Sequence, residues 1–215
     1  MKLIVLLGAP GSGKGTQAKR FASHHNVLYL ATGDLFRKHV TEETALGKQA
    51  KEYMAKGELV PDSLVVNLLR SALADARDVG VAILDGFPRT VPQAVVLDER
   101  AETQVAQAVF FDAPQSVLIE RLTGRLICEK CQATFHRSFF PPMKPGICDK
   151  CQGTLGQRKD DADSVVHNRL AIFYKQNGPL LSYYKNRSIL STIQADRAAD
   201  GVEAEFAKVL SAFVA

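Results

Sequence analysis

The sequence predicts an α/β fold, a parallel sheet wrapped on both faces by helices. Three observations carry that expectation: short unbroken apolar runs bounded by glycine, aspartate or proline; helical stretches with apolar residues three and four apart between them; and a glycine-rich loop joining the first run to the first helix. Runs without polar alternation are strands buried on both faces, and strands that alternate with helices build a parallel sheet.

Leu3 to Leu7 is the first such run and breaks at Gly8. Residues 14–25 read as a helix, Val27 to Leu30 as a second strand, and Ala31-Thr32-Gly33-Asp34 leads into a helical stretch through Val40. Thr41-Glu42-Glu43-Thr44 opens another helix with Thr41 as its expected N-cap. Pro61-Asp62 starts a helix whose Leu64, Val65, Leu68, Leu69 and Leu73 form one apolar stripe. Val81 to Asp85 and Val105 to Phe111 are the third and fourth strands. Helices are expected over 115–123, 162–186 and 200–213, with a last strand from Ile189 to Ile193. Residues 126–160 hold all four cysteines and three of the nine prolines, with no helical period. A stretch that long has structure of its own, and it reads as an inserted mini-domain.

The 215 residues are 46% hydrophobic and 23% charged, enough to bury a sizeable core. The net charge of +4 is small and its basic residues are dispersed, unlike a nucleic-acid-binding stripe. No apolar stretch approaches the roughly 18 residues of a membrane span, and the N-terminal run is too short for a signal peptide. A cytoplasmic protein is expected, without membrane or nucleic-acid partners. In a reducing compartment four cysteines serve as metal ligands or free thiols sooner than as disulfides.

Gly8-Ala9-Pro10-Gly11-Ser12-Gly13-Lys14-Gly15-Thr16 lies between a strand and a helix, the setting of a P-loop. Its glycines let successive backbone N–H groups turn toward phosphate oxygens, and the helix that follows adds the positive end of its dipole. Lys14 supplies a mobile charge that can follow a phosphoryl group. Gly15 stands where the general pattern has Ser or Thr.

Cys128-Glu129-Lys130-Cys131 and Cys148-Asp149-Lys150-Cys151 are two C-x2-C pairs separated by sixteen residues, a zinc-ribbon spacing. Four thiolates fill the tetrahedral shell of zinc and leave no open position, so the metal is expected to be structural. Gly146 and Gly153 flank the second pair and suggest tight turns, while His136 reads as a polar residue outside the ligand set. Phe135, Phe139 and Phe140 read as a small core for this segment.

The departure at Gly15 carries a resemblance. The loop is similar to that of nucleoside monophosphate kinases, as are Thr32-Gly33-Asp34-Leu35-Phe36-Arg37, Leu84-Asp85-Gly86-Phe87-Pro88-Arg89-Thr90 with Gln93 beyond it, Glu120-Arg121-Leu122-Thr123-Gly124-Arg125, and Arg158-Lys159-Asp160-Asp161. The likeness runs from residue 1 to about 186, and the cysteine-paired lid resembles the zinc-bearing bacterial type of adenylate kinase. That resemblance implies a P-loop three-layer fold with an AMP-binding helical insertion and a zinc-ribbon-like lid. Its parts are a core over 1–30 with the P-loop, an AMP-binding segment over 31–60, core over 61–124, the lid over 125–161, and core over 162–215.

The resemblance also implies transfer of a phosphoryl group between ATP and AMP to give two ADP, by a monomer. AMP would be held by Thr32, Arg37, Glu58, Leu59, Val60, Gly86, Phe87, Pro88, Arg89, Gln93, Arg158 and Arg169. ATP would be held by Gly11, Ser12, Gly13, Lys14, Gly15, Thr16, Arg121, Arg125, Thr134, Phe135 and Arg197. Lys14, Arg89, Arg125, Arg158 and Arg169 would be catalytic, and Asp85 resembles the carboxylate that orients the water shell of Mg2+. Leu126 stands where many relatives carry a second arginine, and Ile193-Gln194-Ala195-Asp196-Arg197 replaces a pattern like Val-Asp-Gly-Thr-Lys.

The chemistry suits these residue types. Two polyanions must be brought together against their repulsion, and arginine binds phosphate oxygens in pairs while staying charged. Gln93 can pair with the edge of adenine. The readings that compete are a kinase of UMP, CMP or GMP, and a non-enzymatic zinc module that binds nucleic acid.

Overall fold

The computed structural model describes residues 1–76, 79–99 and 103–214. Five parallel strands form its central sheet: β1 (Lys2–Gly8), β2 (Leu28–Ala31), β3 (Val81–Asp85), β4 (Gln104–Asp112) and β8 (Leu190–Gln194), in the order β2-β3-β1-β4-β8. Alternate residues of β1 point to opposite faces, as strand geometry requires. Leu3, Val5 and Leu7 enter one buried cluster, and Ile4 and Leu6 enter another. The first cluster is covered by α4 (Asp62–Ala74), α5 (Val91–Asp98) and α7 (Asp163–Asn186), the second by α1 (Lys14–His24) and α8 (Ala199–Leu210). The expected stripe on α4 is the buried one, with Val65, Leu68, Leu69 and Leu73 turned inward.

Register brings the functional loops to one edge. Leu6 and Ala31 both pair with Asp85, so the P-loop after β1, the helix after β2 and the loop after β3 leave the sheet side by side. The chain crosses from one side of β1 to the other, which opens the crevice where ligands of open α/β sheets bind.

Several boundaries differ from expectation for local reasons. Helix α2 (Thr32–Thr41) begins at Thr32, so Thr32-Gly33-Asp34 is its first turn. Thr41 does not cap the next helix; it ends α2 and donates its hydroxyl to the carbonyl of Arg37. The cap of α3 (Ala45–Lys56) is Thr44, whose Oγ1 accepts from the backbone N–H of Gly47 at 3.1 Å. Helix α5 was not expected from the pattern. Its N-cap Thr90 accepts from the N–H of Gln93, and Pro92 sits in the first turn, where its missing N–H is harmless. The final helix stops at Leu210 and continues as one 3-10 turn over Ser211–Phe213.

After α6 (Gln115–Thr123) the chain makes a separate antiparallel sheet of β5 (Arg125–Cys128), β6 (Thr134–His136) and β7 (Leu155–Gly156), with β5 in the middle. Cys128, Phe135, Cys148 and Leu155 are its buried centre. Phe139 and Phe140 are not part of that centre; they are 58% and 60% exposed, although Phe140 stacks on Phe135 at 5.7 Å.

Candidate functional site

The P-loop turns through two left-handed glycines, Gly11 (φ 85°) and Gly13 (φ 88°), and α1 starts at Lys14. The Lys14 ammonium donates to the carbonyl of Ala9 at 3.2 Å and lies 3.8 Å from Asp85. Burial pulls its pKa below the usual lysine value, Asp85 opposes that, and Arg89, Arg169 and Arg125 deepen it. Ser12 is buried, and its hydroxyl has no partner within the protein. An orphan hydroxyl in a glycine-rich loop at the start of a helix fits an anion. Thr16 is exposed on the first turn of α1. Gly15 has a steric reason: a Cβ there would lie 2.9 Å from an Asp85 carboxylate oxygen and 3.1 Å from the Tyr29 hydroxyl, which itself donates to Asp85 at 2.9 Å.

Beside this loop lies a pocket floored by the end of β3 and walled by α2 and α3. Of the twelve residues expected to hold AMP, Thr32, Arg37, Glu58, Leu59, Val60, Gly86, Phe87, Arg89, Gln93 and Arg169 line it, while Pro88 and Arg158 do not. Gly33, Phe36, Met54, Gly57, Val65 and Asp160 line it too and were not expected to. Phe36 and Asp160 fall inside the quoted motifs, and Val65 belongs to the buried stripe of α4. Gly57 follows a helix end as a C-cap glycine, with φ 71°; Met54 gave no signal. The Arg89 side chain is held by its Nε donating to the Gly86 carbonyl at 2.8 Å. Gln93 is buried, its Oε1 accepting from the Arg89 backbone N–H at 2.7 Å and its Nε2 donating to Asp62 at 2.6 Å.

Carboxylates answer the arginines. Asp34 pairs with Arg37, with Lys19 at 3.0 Å and with Arg158 at 3.6 Å; Asp160 lies 3.2 Å from Arg169 and 3.8 Å from Arg37. Asp161, fully buried, receives Arg125 Nε at 2.7 Å and Arg169 at 3.0 Å. Burial alone would raise the Asp34 and Asp160 carboxyls, but their cationic neighbours outweigh it and hold both below the usual range. Burial, then Arg37 and Arg125, pushes Arg158 down to about 10. Like charges crowded enough to shift one another mark a site built for anions.

The remaining expected ATP contacts lie apart from this pocket. Arg121 donates to the Ala195 carbonyl at 2.8 Å, and Arg197 turns to the Gln194 carbonyl and to Glu205. Thr134 is exposed on β6, whereas the Phe135 side chain is packed into the centre of the cysteine-bearing sheet.

The four cysteine sulfurs lie within 4.8 Å of one another, Cys128 to Cys151 at 3.4 Å and Cys131 to Cys148 at 3.6 Å. A tetrahedral zinc with bonds of about 2.3 Å needs sulfurs about 3.8 Å apart, so these residues fit the ion. The backbone N–H of Cys131, 3.4 Å from the Cys128 sulfur, is the main cause that pulls that thiol down to about 6 and favours the thiolate. The left-handed turn residues after each pair are Gln132 and Gln152, not Gly153. Gly153 instead gives room, since a Cβ there would lie 3.1 Å from the Cys128 sulfur. His136 is no ligand: its Nδ1 accepts from the N–H groups of Ser138 and Phe139, which leaves Nε2 to donate to the Glu120 carbonyl on α6. It is more buried than a polar surface residue and ties the small sheet to the core.

Comparison with known proteins agrees with this geometry. The family model described as adenylate kinase matches residues 6–189. A curated protein of Clostridium tetani named adenylate kinase is 42% identical over 212 residues, 97% of this chain and 98% of its own. One from Clostridium perfringens with the same name is 41% identical over 210 residues, 96% of this chain and 97% of its own. With a parallel α/β core, a P-loop beside an arginine-lined pocket, and full-length relatives of one name, the chain belongs to the adenylate kinase family.

Proposed function

We propose that this protein transfers the terminal phosphoryl group of ATP to AMP, reversibly, giving two ADP. The observation that carries the reading is that Lys14 of the P-loop lies 3.8 Å from Asp85 at the end of β3, beside the pocket that Arg37, Arg89 and Arg169 line. Their mutual repulsion is relieved when phosphate charge arrives, so binding energy goes into alignment of donor and acceptor.

AMP occupies the pocket between α2 and α3, its phosphate toward Arg37, Arg89, Arg158 and Arg169 and its base toward Gln93. ATP lies along the P-loop, its phosphates cradled from Gly11 to Thr16, with Arg121, Arg125, Thr134, Phe135 and Arg197 on its side. The nucleotide phosphates replace Asp34, Asp160 and Asp161 as partners of the arginines. AMP is already an anionic nucleophile, so no general base is needed. Magnesium bound with ATP would neutralise phosphate charge, and Asp85, which Tyr29 and Lys14 contact, would hold its water shell. Closure of the 125–161 segment excludes the competing water.

The Cys128, Cys131, Cys148 and Cys151 set holds zinc as a structural ion, and its thiolates suit a reducing cytoplasm. The reading takes the working protein to be a monomer, as the resemblance implies. Among the described residues no helix is long and apolar enough to cross a membrane. ADP formation from ATP and AMP tests the reading: Lys14→Ala is expected to lower kcat about a thousandfold, and a variant as active as the wild-type protein would overturn it.

A further inference from the structure

The amide of Gln93 is held at both ends by groups of opposite and fixed polarity. The Arg89 backbone N–H, 2.7 Å from Oε1, can only donate. The Asp62 carboxylate, 2.6 Å from Nε2, can only accept. A glutamine amide is nearly symmetric in shape, and turning it over exchanges its donor and acceptor ends. Here that turn would set NH2 against N–H and oxygen against carboxylate, two mismatches at once on a buried side chain. The direction of Gln93 is therefore fixed before any ligand arrives, and the side chain is 3% exposed.

We propose that Asp62, which starts α4 and need not touch the nucleotide, sets the base selectivity of the acceptor pocket by locking Gln93 in one orientation. The proposal rests on the reading that Gln93 faces the base. Adenine offers an amino donor at position 6 beside a ring-nitrogen acceptor. Hypoxanthine and guanine offer the reverse order, a carbonyl acceptor beside a ring N–H. A glutamine free to turn over can meet either edge; a locked one meets only the first. Selection for a 6-amino purine thus depends on a carboxylate behind the reading side chain.

The test compares kcat/KM for AMP and for IMP, which differ only along that edge, in the wild-type protein, Asp62→Asn and Gln93→Leu. Asparagine can present either an N–H or an oxygen to Gln93 and so removes one of the two mismatches that oppose the turn, leaving only the Arg89 N–H against it. The AMP-over-IMP ratio is expected to fall about tenfold or more in Asp62→Asn, the worth of one paired edge. An unmoved ratio, or a loss shared equally by both substrates, overturns the proposal, because a merely structural role at the start of α4 would weaken both alike. Gln93→Leu keeps the two readings apart. An unchanged KM for AMP there contradicts the base contact itself, whereas a raised KM with an unmoved ratio in Asp62→Asn contradicts the lock alone. If Asp62→Asn melts well below the wild-type protein, Asp62→Ser, which retains a helix-start oxygen, is read by the same ratio.

Discussion

Single residues show why this P-loop departs from the general pattern. The position after Lys14 carries glycine because Asp85 and Tyr29 occupy the space a side chain would need. Gly15→Ala must therefore displace the carboxylate that faces Lys14. Its kcat is expected to fall about tenfold or more, since small misplacements of a positioning group are costly to rate. Steady-state kinetics beside a thermal melt checks this; a variant that melts lower yet keeps its kcat would show the glycine to be needed for folding alone. Arg37, Arg89, Arg125 and Arg158 were legible because each sits in a contiguous motif, whereas Arg169, in a helix with few landmarks, came from the resemblance alone. Asp160, Phe36 and Met54 were not foreseen as pocket residues, because α2, α3 and the turn before α7 meet only after folding. The pairing of Tyr29 with Asp85 joins residues 56 apart in sequence and carries no local pattern.

Among the elements, the long apolar strands and the striped α4 were readable because a single period runs through each. The cysteine-bearing segment was not, since its strands are four, three and two residues long and no period can be seen in so few. Helix α5 hid for another reason: Val91, Val95 and Val96 spread apolar residues around it, and Pro92 reads as a breaker until it is seen in the first turn. The small sheet is centred on a cluster of four buried residues, two of them cysteines, too little apolar burial to hold it together alone. Removal of zinc by a chelator is expected to lower Tm by about 5 °C or more. Proteolysis within 125–161 should rise while the circular dichroism of the core persists. Unchanged melting and an unchanged cleavage pattern would show that the four cysteines carry no structural ion. Gly124 and His136 form the join to the core, packed so closely that a Cβ at Gly124 would fall 2.3 Å from the imidazole.

For the whole molecule, the order β2-β3-β1-β4-β8 accounts for where the site lies. Three loops leave neighbouring strands at one edge, and helices α2 and α7 bring Arg37 and Arg169 over it from separate parts of the chain. The architecture was legible from the alternation of runs and helices; the set of carboxylates that balances the arginines was not, because Asp34 and the Asp160-Asp161 pair come from two distant segments. Those carboxylates neutralise the arginines locally, and polyanions would take their place. The central claim is that two nucleotides are gripped head to head between the P-loop and the α2–α3 pocket. A crystal structure with two adenosines joined by five phosphates tests it most directly. The account predicts the phosphate chain running from Lys14 to Arg89, with Asp160 released from Arg37 and Arg169. A chain lying elsewhere, with those ion pairs intact, would contradict it.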